Sequence, residues 1–283
     1  MGKFDRVLLA ADYDNTLVDT RGMMERGLPM PEMSPRNREA LAYFTENGGL
    51  FAVSTGRALG AFQAHAALLP LNAPCVLANG AALYDFSRQR YLITYFFTDA
   101  IYRHMEDVLA RFPSVGFEVY HDDRRIHAMH DNAFIQTHQH LTRSPAEFVQ
   151  DFREIDLPIV KVLFEEETAE LETVRDYIRT LPWSGEYELA LSSEHLLEMT
   201  VRGATKGNMV LRLAELLGVA RQDLYCIGDH ANDIPMLDVS AIPFAPSNCI
   251  DALRQYGAQI VGSCRDGAVA DVIEILDRRY GAR

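Results

Sequence analysis

The run Val7-Leu8-Leu9-Ala10-Ala11 has no polar position. Such a run predicts a short central strand covered on both faces. It ends abruptly in a polar loop, Asp12-Tyr13-Asp14-Asn15-Thr16. The Met- and Pro-rich stretch 21–33 that follows reads as a loop. Ser34-Pro35 then supplies an N-cap and a first-turn proline, predicting a helix over 35–46 that Asn47-Gly48-Gly49 stops. Leu50 to Val53 predicts a second buried strand, which gives way to Ser54-Thr55-Gly56-Arg57. An Ala- and Leu-rich helix to about Leu69 and a third strand over 74–78 complete the pattern. Strands alternating with helices in this way predict a parallel sheet with right-handed crossovers.

From Tyr84 to about Leu197 the pattern changes. Residues 91–97 (YLITYFF) read as a strand whose aromatics belong to the core of an inserted unit. Thr98-Asp99 reads as the cap of a helix with Ile101, Met105, Val108 and Leu109 at helical spacing. A hairpin is predicted over 117–120 and 125–129, a strand over 158–164, an amphipathic helix over 165–181 and paired strands over 186–191 and 195–199. The first rhythm then resumes. A helix starts at Thr205-Lys206-Gly207 and runs to about Leu217. A strand over 223–227 stops at Gly228-Asp229-His230-Ala231-Asn232-Asp233. A short helix over 235–239, strands over 241–245 and 259–261, and a last helix over 268–280 follow. The expected architecture is α/β: a doubly wound parallel sheet built from residues 1–83 and 198–283, with an α+β unit, 84–197, inserted between them.

Composition narrows the function classes. The 283 residues carry a net charge of −13, which disfavours general nucleic-acid binding, since that depends on basic patches. No apolar run approaches the roughly 20 residues of a membrane-crossing helix. The first apolar stretch is too short, and too soon followed by acids, to serve as a secretion signal. Cys75, Cys226, Cys249 and Cys264 are scattered without C-x-x-C spacing and read as reduced, buried thiols, so a cytoplasmic location is expected. Monomer and homodimer both remain open.

Four strand ends or helix starts of the outer unit carry polar chemistry: Asp12/Asp14/Thr16, Thr55/Arg57, Lys206 and Asp229/Asn232/Asp233. Acids at i and i+2 on extended backbone point the same way. Held that close, they need a cation or a shared proton, so either a metal site or an acid/base pair is implied. Several short carboxylates suit Mg²⁺, and a lysine with a threonine hydroxyl suits phosphoryl oxygens. Each residue also has a plainer reading. Acids cap helices, Arg57 can pair with a surface acid, and Asp233 can cap the next helix. Lys206 is harder to dismiss, because a cation at a helix start opposes the macrodipole. His121, His127, His130, His138 and His140 match no specific zinc spacing, and a solvated or partly buried surface is their default reading.

Asp12-Tyr13-Asp14-Asn15-Thr16-Leu17 resembles the first motif of the haloacid-dehalogenase-like phosphatases. Ser54-Thr55-Gly56-Arg57, Lys206-Gly207 and Gly228-Asp229-His230-Ala231-Asn232-Asp233 resemble the second, third and fourth. Asn79-Gly80-Ala81 and the run Glu198 to Lys206 resemble the Cof-type branch, whose α/β cap lies between the second and third motifs. One departure is Asn15, where the family usually has glycine; asparagine tolerates the left-handed turn this position needs. The resemblance implies a phosphatase of small phosphorylated metabolites, such as sugar phosphates. Asp12 would be the nucleophile and Asp14 the general acid/base. Mg²⁺ would be held by Asp12, the Asp14 main-chain carbonyl and Asp229, with Asp233 binding it directly or from behind. Thr55, Gly56, Lys206 and Asn232 would hold the phosphoryl group, with loop amides near Tyr13 and a contribution from Arg57. Cap residues Arg124, Arg125, His127 and Lys161 are candidates to reach the leaving group. A phosphomutase using the same intermediate, and a non-catalytic metabolite-binding protein, are the rival readings.

Overall fold

The computed structural model describes residues 2–28 and 30–281; Met1, Pro29, Ala282 and Arg283, which include parts of the predicted terminus and loop, lie outside the described residues. The chain opens with β1 (Leu8–Ala11). It continues through α1 (Thr20–Glu25), α2 (Pro35–Glu46), β2 (Leu50–Val53) and α3 (Leu59–Ala66). The stretch expected to be loop thus contains a helix: Asp19 caps α1 by accepting from the Gly22 N–H, and Met23 turns inward. Next come β3 (Cys75–Leu77), β4 (Ala82–Asp85) and β5 (Arg90–Thr94), an antiparallel group joined to β2 by a parallel bridge between Ser54 and Val76. Leu83, Leu92, Ile93 and Tyr95 pack on the outer unit's core, while Phe97 packs in the inserted unit's core. The 91–97 aromatics are therefore divided between the two, a correction to the expectation that they all serve the insert.

The inserted unit contains α4 (Ile101–Arg111), β6 (Phe117–Tyr120), β7 (Ile126–Met129), α5 (Ala133–Thr142), β8 (Glu147–Phe148), β9 (Lys161–Glu165), α6 (Thr168–Thr180), β10 (Tyr187–Ser193) and β11 (Leu196–Val201). Among the described residues its sheet has six strands, ordered β10-β11-β9-β6-β7-β8. Ala100, not Thr98 or Asp99, is the N-cap of α4, and it caps with no side-chain bond. Helix α5 was not anticipated, because its apolar positions are few and only Ile135 is buried. Phe117, Val119, Val162, Phe164, Leu197 and Met199 face α4 and α6 in one core. Their strand neighbours Glu118, Tyr120, Lys161, Glu165 and Glu198 lie on the opposite face by register.

The outer unit resumes with α7 (Lys206–Leu217), β12 (Leu224–Ile227), α8 (Ile234–Asp238), β13 (Pro243–Pro246), α9 (Asp251–Tyr256), β14 (Gln259–Val261) and α10 (Ala268–Tyr280). Its parallel sheet has the order β14-β13-β12-β1-β2 among the described residues. Leu9 and Ala11 of β1 point into a cluster with α2, α3 and α10; Leu8 and Ala10 point into one with α7, α8 and α9. Both faces are covered, which is why β1 tolerates no polar residue. Chain order reverses between β1 and β12, so the crevice beyond their carboxyl ends is where an open α/β sheet binds ligands.

Candidate active site

Asp12 is the first residue beyond β1, and its N–H bonds the Ile227 carbonyl at 2.9 Å, extending the ladder to the crevice mouth. Asp229 lies just beyond β12. Lys206 opens α7, whose N-cap Thr205 accepts from the Asn208 N–H. Two close approaches fix that helix start. A Cβ on Gly80 (φ +101°) would lie 2.2 Å from the Thr205 carbonyl, and one on Gly207 would lie 1.9 Å from the Pro235 oxygen. Only bare backbone fits at either place. Lys206 is consequently buried, with its ammonium 2.6 Å from Asp12 Oδ1 and 2.6 Å from Asp233 Oδ1. The plain reading of Lys206 as a solvated helix-start residue is excluded.

Asp233 uses its second oxygen to accept from the Asp229 and His230 N–H groups, at 2.9 and 3.0 Å. Thr16 Oγ1 donates to Asp229 Oδ1 at 3.1 Å. Ligand atoms of Asp12, Asp229 and Asp233 lie within 4.8 Å of one another. Three carboxylates share one ammonium, and the electrostatics show the excess. Burial pushes the Asp12 carboxyl up to about 7; Lys206 opposes this, while Asp233 and Asp14 reinforce it. Burial, Asp12 and Asp233 raise Asp229 well above the usual carboxylate range. Burial works against the Lys206 charge, but Asp12 and Asp233 outweigh it and raise its pKa. A hard divalent cation among these oxygens would relieve the repulsion, and the all-oxygen donor set suits one.

Asp14 faces elsewhere. Strand β1 ends at Ala11, and Tyr13 already stands in a turn, its carbonyl accepting from the Leu17 and Val18 N–H groups, so the i, i+2 rule for extended backbone does not apply; Asn15, beyond Asp14, takes the left-handed φ of +56° within that turn. The Asp14 carboxylate grips Arg57 twice, Oδ2 to Nε at 2.8 Å and Oδ1 to Nη2 at 2.7 Å, and Thr20 Oγ1 donates to Oδ1 at 2.6 Å. Burial pushes Asp14 up, but Arg57 and Thr20 outweigh it and hold the carboxyl down, to about 2. Arg57 lies over the Tyr13 ring, 5.4 Å from its centre. Its Nη1 is 3.3 Å from His65 Nε2, and His65 Nδ1 is 2.8 Å from the Tyr13 hydroxyl. Burial and Arg57 lower His65 to about 4, so the ring is neutral at pH 7. Arginine can only donate, which assigns the proton to Nδ1 and makes the Tyr13 oxygen its acceptor.

The remaining predicted residues surround the crevice. Thr55 is buried, and its Oγ1 accepts from the Arg57 N–H at 3.1 Å. The Gly56 carbonyl accepts from Lys161 Nζ at 3.0 Å, and Lys161 also pairs with Glu198 at 2.8 Å. Asn232 Nδ2 donates to Asn79 Oδ1 at 2.9 Å, while Asn79 Nδ2 is buried without a hydrogen-bond partner among the described residues. Asn79, Lys206 and Asn232 line a cavity of about 270 Å³ with Glu188, Glu198 and Arg175 of the inserted unit. Of the four cap candidates, Lys161 reaches the outer unit as an anchor. Arg125 instead pairs with Asp123 and Asp156 at the surface. His127 bonds His121 inside the insert. Arg124 packs its stem beside Gly60. Thr20, His65 and Glu198 were missed as site residues. Only Glu198 left a signal, a lone acid in the otherwise apolar run Leu196-Leu197-Glu198-Met199.

A sheet-containing insert over a parallel sheet, with acids beyond adjoining strands and a buried lysine between them, defines a class. The chain belongs to the haloacid dehalogenase-like hydrolases: that family's sequence model matches residues 9–273. It is of the Cof type and of the phosphomonoesterase class. The chain is 24% identical to the 5-amino-6-(5-phospho-D-ribitylamino)uracil phosphatase YwtE of Bacillus subtilis, over 95% of this chain and 97% of that protein. It is 23% identical to the pyridoxal phosphate phosphatase YbhA of Escherichia coli, over 94% and 97%. Among solved structures, a haloacid dehalogenase-like hydrolase from Bacteroides thetaiotaomicron superposes with a TM-score of 0.78 at 21% identity, covering 95% of this chain and 99% of that one. The HAD subclass IIB sugar phosphatase BT4131 gives 0.78 at 16% identity, covering 97% and 99%. No helix of the described residues is long and apolar enough to cross a membrane.

Proposed function

We propose that this protein is a Mg²⁺-dependent phosphatase of the cytoplasm that hydrolyses a small phosphorylated metabolite, a sugar phosphate or similar compound, through an aspartyl-phosphate on Asp12. One observation carries the reading: the Lys206 ammonium lies between Asp12 and Asp233, with Asp229 in the same cluster of oxygens. Relatives whose names specify a phosphorylated ribitylaminouracil and pyridoxal phosphate support a small-metabolite substrate. The inserted unit, from α4 to β11, would act as the cap, excluding water from the crevice.

Asp12, Asp229 and the main-chain carbonyl of Asp14 would hold Mg²⁺, which when bound supplies charge neutralisation for the incoming phosphoryl group. Asp233 has both oxygens committed to Lys206 and the 229–230 amides, so it supports the site from behind. Lys206, Asn232, Thr55, Gly56 and loop amides near Tyr13 would orient the phosphoryl oxygens. Asp12 attacks phosphorus as the bond to the leaving oxygen breaks, and Asp14 supplies that oxygen with a proton. Asp14 then takes a proton from water as the water attacks phosphorus; phosphate departs and Asp12 is restored. In the arrangement seen, Asp14 is held ionised by Arg57. The acid step therefore requires Asp14 to leave Arg57, and the pairing of the two supports reading Arg57 as a positioning residue for Asp14.

The test is phosphate release over a panel of phosphorylated metabolites, including sugar phosphates, pyridoxal phosphate and the ribitylaminouracil phosphate, with Mg²⁺ and with chelator. The proposal expects release from at least one compound that chelator and Asp12→Asn each abolish. Equal release by Asp12→Asn and the unaltered protein would refute it.

A further inference from the structure

The inner face of the inserted sheet carries a second cluster that the proposed reaction does not use. Glu118 of β6, Glu165 of β9 and His138 of α5 bring ligand atoms within 4.8 Å of one another. They come from three elements far apart in sequence. His138 Nδ1 lies 3.1 Å from Glu118 Oε2 and 3.4 Å from Glu165 Oε1. Donor atoms about 3.0–3.4 Å apart form the edges of a coordination polyhedron whose bonds are about 2.1 Å, the length of zinc bonds to imidazole and carboxylate. Glu165 is fully buried, yet beyond the His138 contact its oxygens receive no hydrogen bond among the described residues, and Glu118 Oε1 receives none in the same geometry. Buried carboxylate oxygens rarely go without a donor or a cation, because desolvating them uncompensated is costly.

We propose that Glu118, Glu165 and His138 form a second metal site, in the inserted unit, for a transition-metal ion of the Zn²⁺ or Mn²⁺ kind. The imidazole separates it in chemistry from the all-oxygen cluster of Asp12, Asp229 and Asp233, because nitrogen donors favour transition metals over Mg²⁺ or Ca²⁺. The His138 side chain is 17% exposed, which gives an ion a way in. Tyr120 bonds Glu118 from the same face and orients that carboxylate. Bound there, the ion ties α5 to β6 and β9. On the same face Lys161 and Glu198 meet the Gly56 loop, so the ion stiffens the surface that covers the crevice.

The test is equilibrium dialysis of the full chain against Zn²⁺ and Mn²⁺, with the bound metal measured by elemental analysis. The proposal expects one equivalent that survives Asp229→Asn but falls at least 100-fold in affinity in both Glu165→Gln and His138→Gln. X-ray absorption of the Asp229→Asn protein loaded with one equivalent of Zn²⁺ should show one imidazole nitrogen among oxygen ligands. Circular dichroism establishes that the variants fold. If folded Glu165→Gln and His138→Gln bind as much metal as the unaltered chain, or if only Asp229→Asn loses metal, the proposal fails and the carboxylates share a proton instead. None of these readouts depends on phosphatase activity.

Discussion

Lys206 shows what a single residue does here. Its ammonium neutralises two buried carboxylates, so Lys206→Met leaves Asp12 and Asp233 facing each other with no cation between them. Removing one partner of a buried ion pair costs about 3–5 kcal/mol, and losing a fixed charge aimed at the reacting group costs about 10²–10³ in kcat. Lys206→Met should therefore lower both the melting temperature and phosphate release, whereas Asp12→Asn should abolish release with a smaller loss of stability. His138 gives a pH prediction. Burial lowers its pKa, but Glu165 and Glu118 outweigh burial and raise it from 6.5 to about 9. A raised folded pKa contributes stability that is complete below pH 6.5 and lost as pH rises through about 9. Glu165, pushed from 4.5 to about 7 chiefly by burial, acts in the same direction between those values. Glu118 is lowered, against its burial, by His138, and so contributes in the opposite sense, losing stability as pH falls below 4.5. In chelator, the melting temperature should fall between pH 6.5 and 9.5, and His138→Gln should flatten that fall. An equal fall in both proteins would contradict the assignment.

At the scale of elements, strand ends and helix starts determine the site, and they were also the most legible feature of the sequence. Helix α2, strands β2 and β14 and helix α10 fall where the apolar pattern and the caps place them. Helices α1, α5 and α9 escaped because they are short or bury few residues, so periodicity has little to act on. The convergence of Asp12, Lys206 and Asp229 was legible because each stands at a strand end or helix start. The separation of Asp14 from Asp12 was not, since it depends on the turn that begins at Tyr13 and on a partner, Arg57, that is 43 residues away. Gly207 supplies the element-scale prediction. With Pro235 O only 1.9 Å from an added Cβ, Gly207→Ala must push α7 away from the 228–235 loop. Overpacking of this kind costs about 1–3 kcal/mol. Because it separates Lys206 from Asp233, phosphate release should fall by more than the stability loss explains.

Across the whole molecule, the inserted unit rests on the outer one through few polar anchors. Lys161, paired with Glu198 inside the inserted unit, bonds the Gly56 carbonyl across the joint, the Tyr91 hydroxyl donates to the Asp122 carbonyl, and His230 meets the Leu191 carbonyl. The sequence marked Lys161 as a residue pointing toward the substrate; the structure makes it a fastening between units. Its charge is buried with Glu198, so Lys161→Met leaves an unpaired acid at the joint. The expected outcome is a raised KM and faster protease cleavage between the units. Combining it with Glu198→Gln should recover part of the loss, since the pair is coupled. Additive effects would show that the two residues act separately.

The account depends most on Asp12 accepting the phosphoryl group in the crevice where Asp229 and Lys206 converge. Rapid acid quench of the Mg²⁺-loaded protein during turnover, followed by mass analysis of its peptides, addresses this directly. The prediction is one phosphoryl group on the peptide containing Asp12, absent in chelator and in Asp12→Asn. Turnover with no phosphorylated peptide at any quench time, or with the group on another residue, would contradict it.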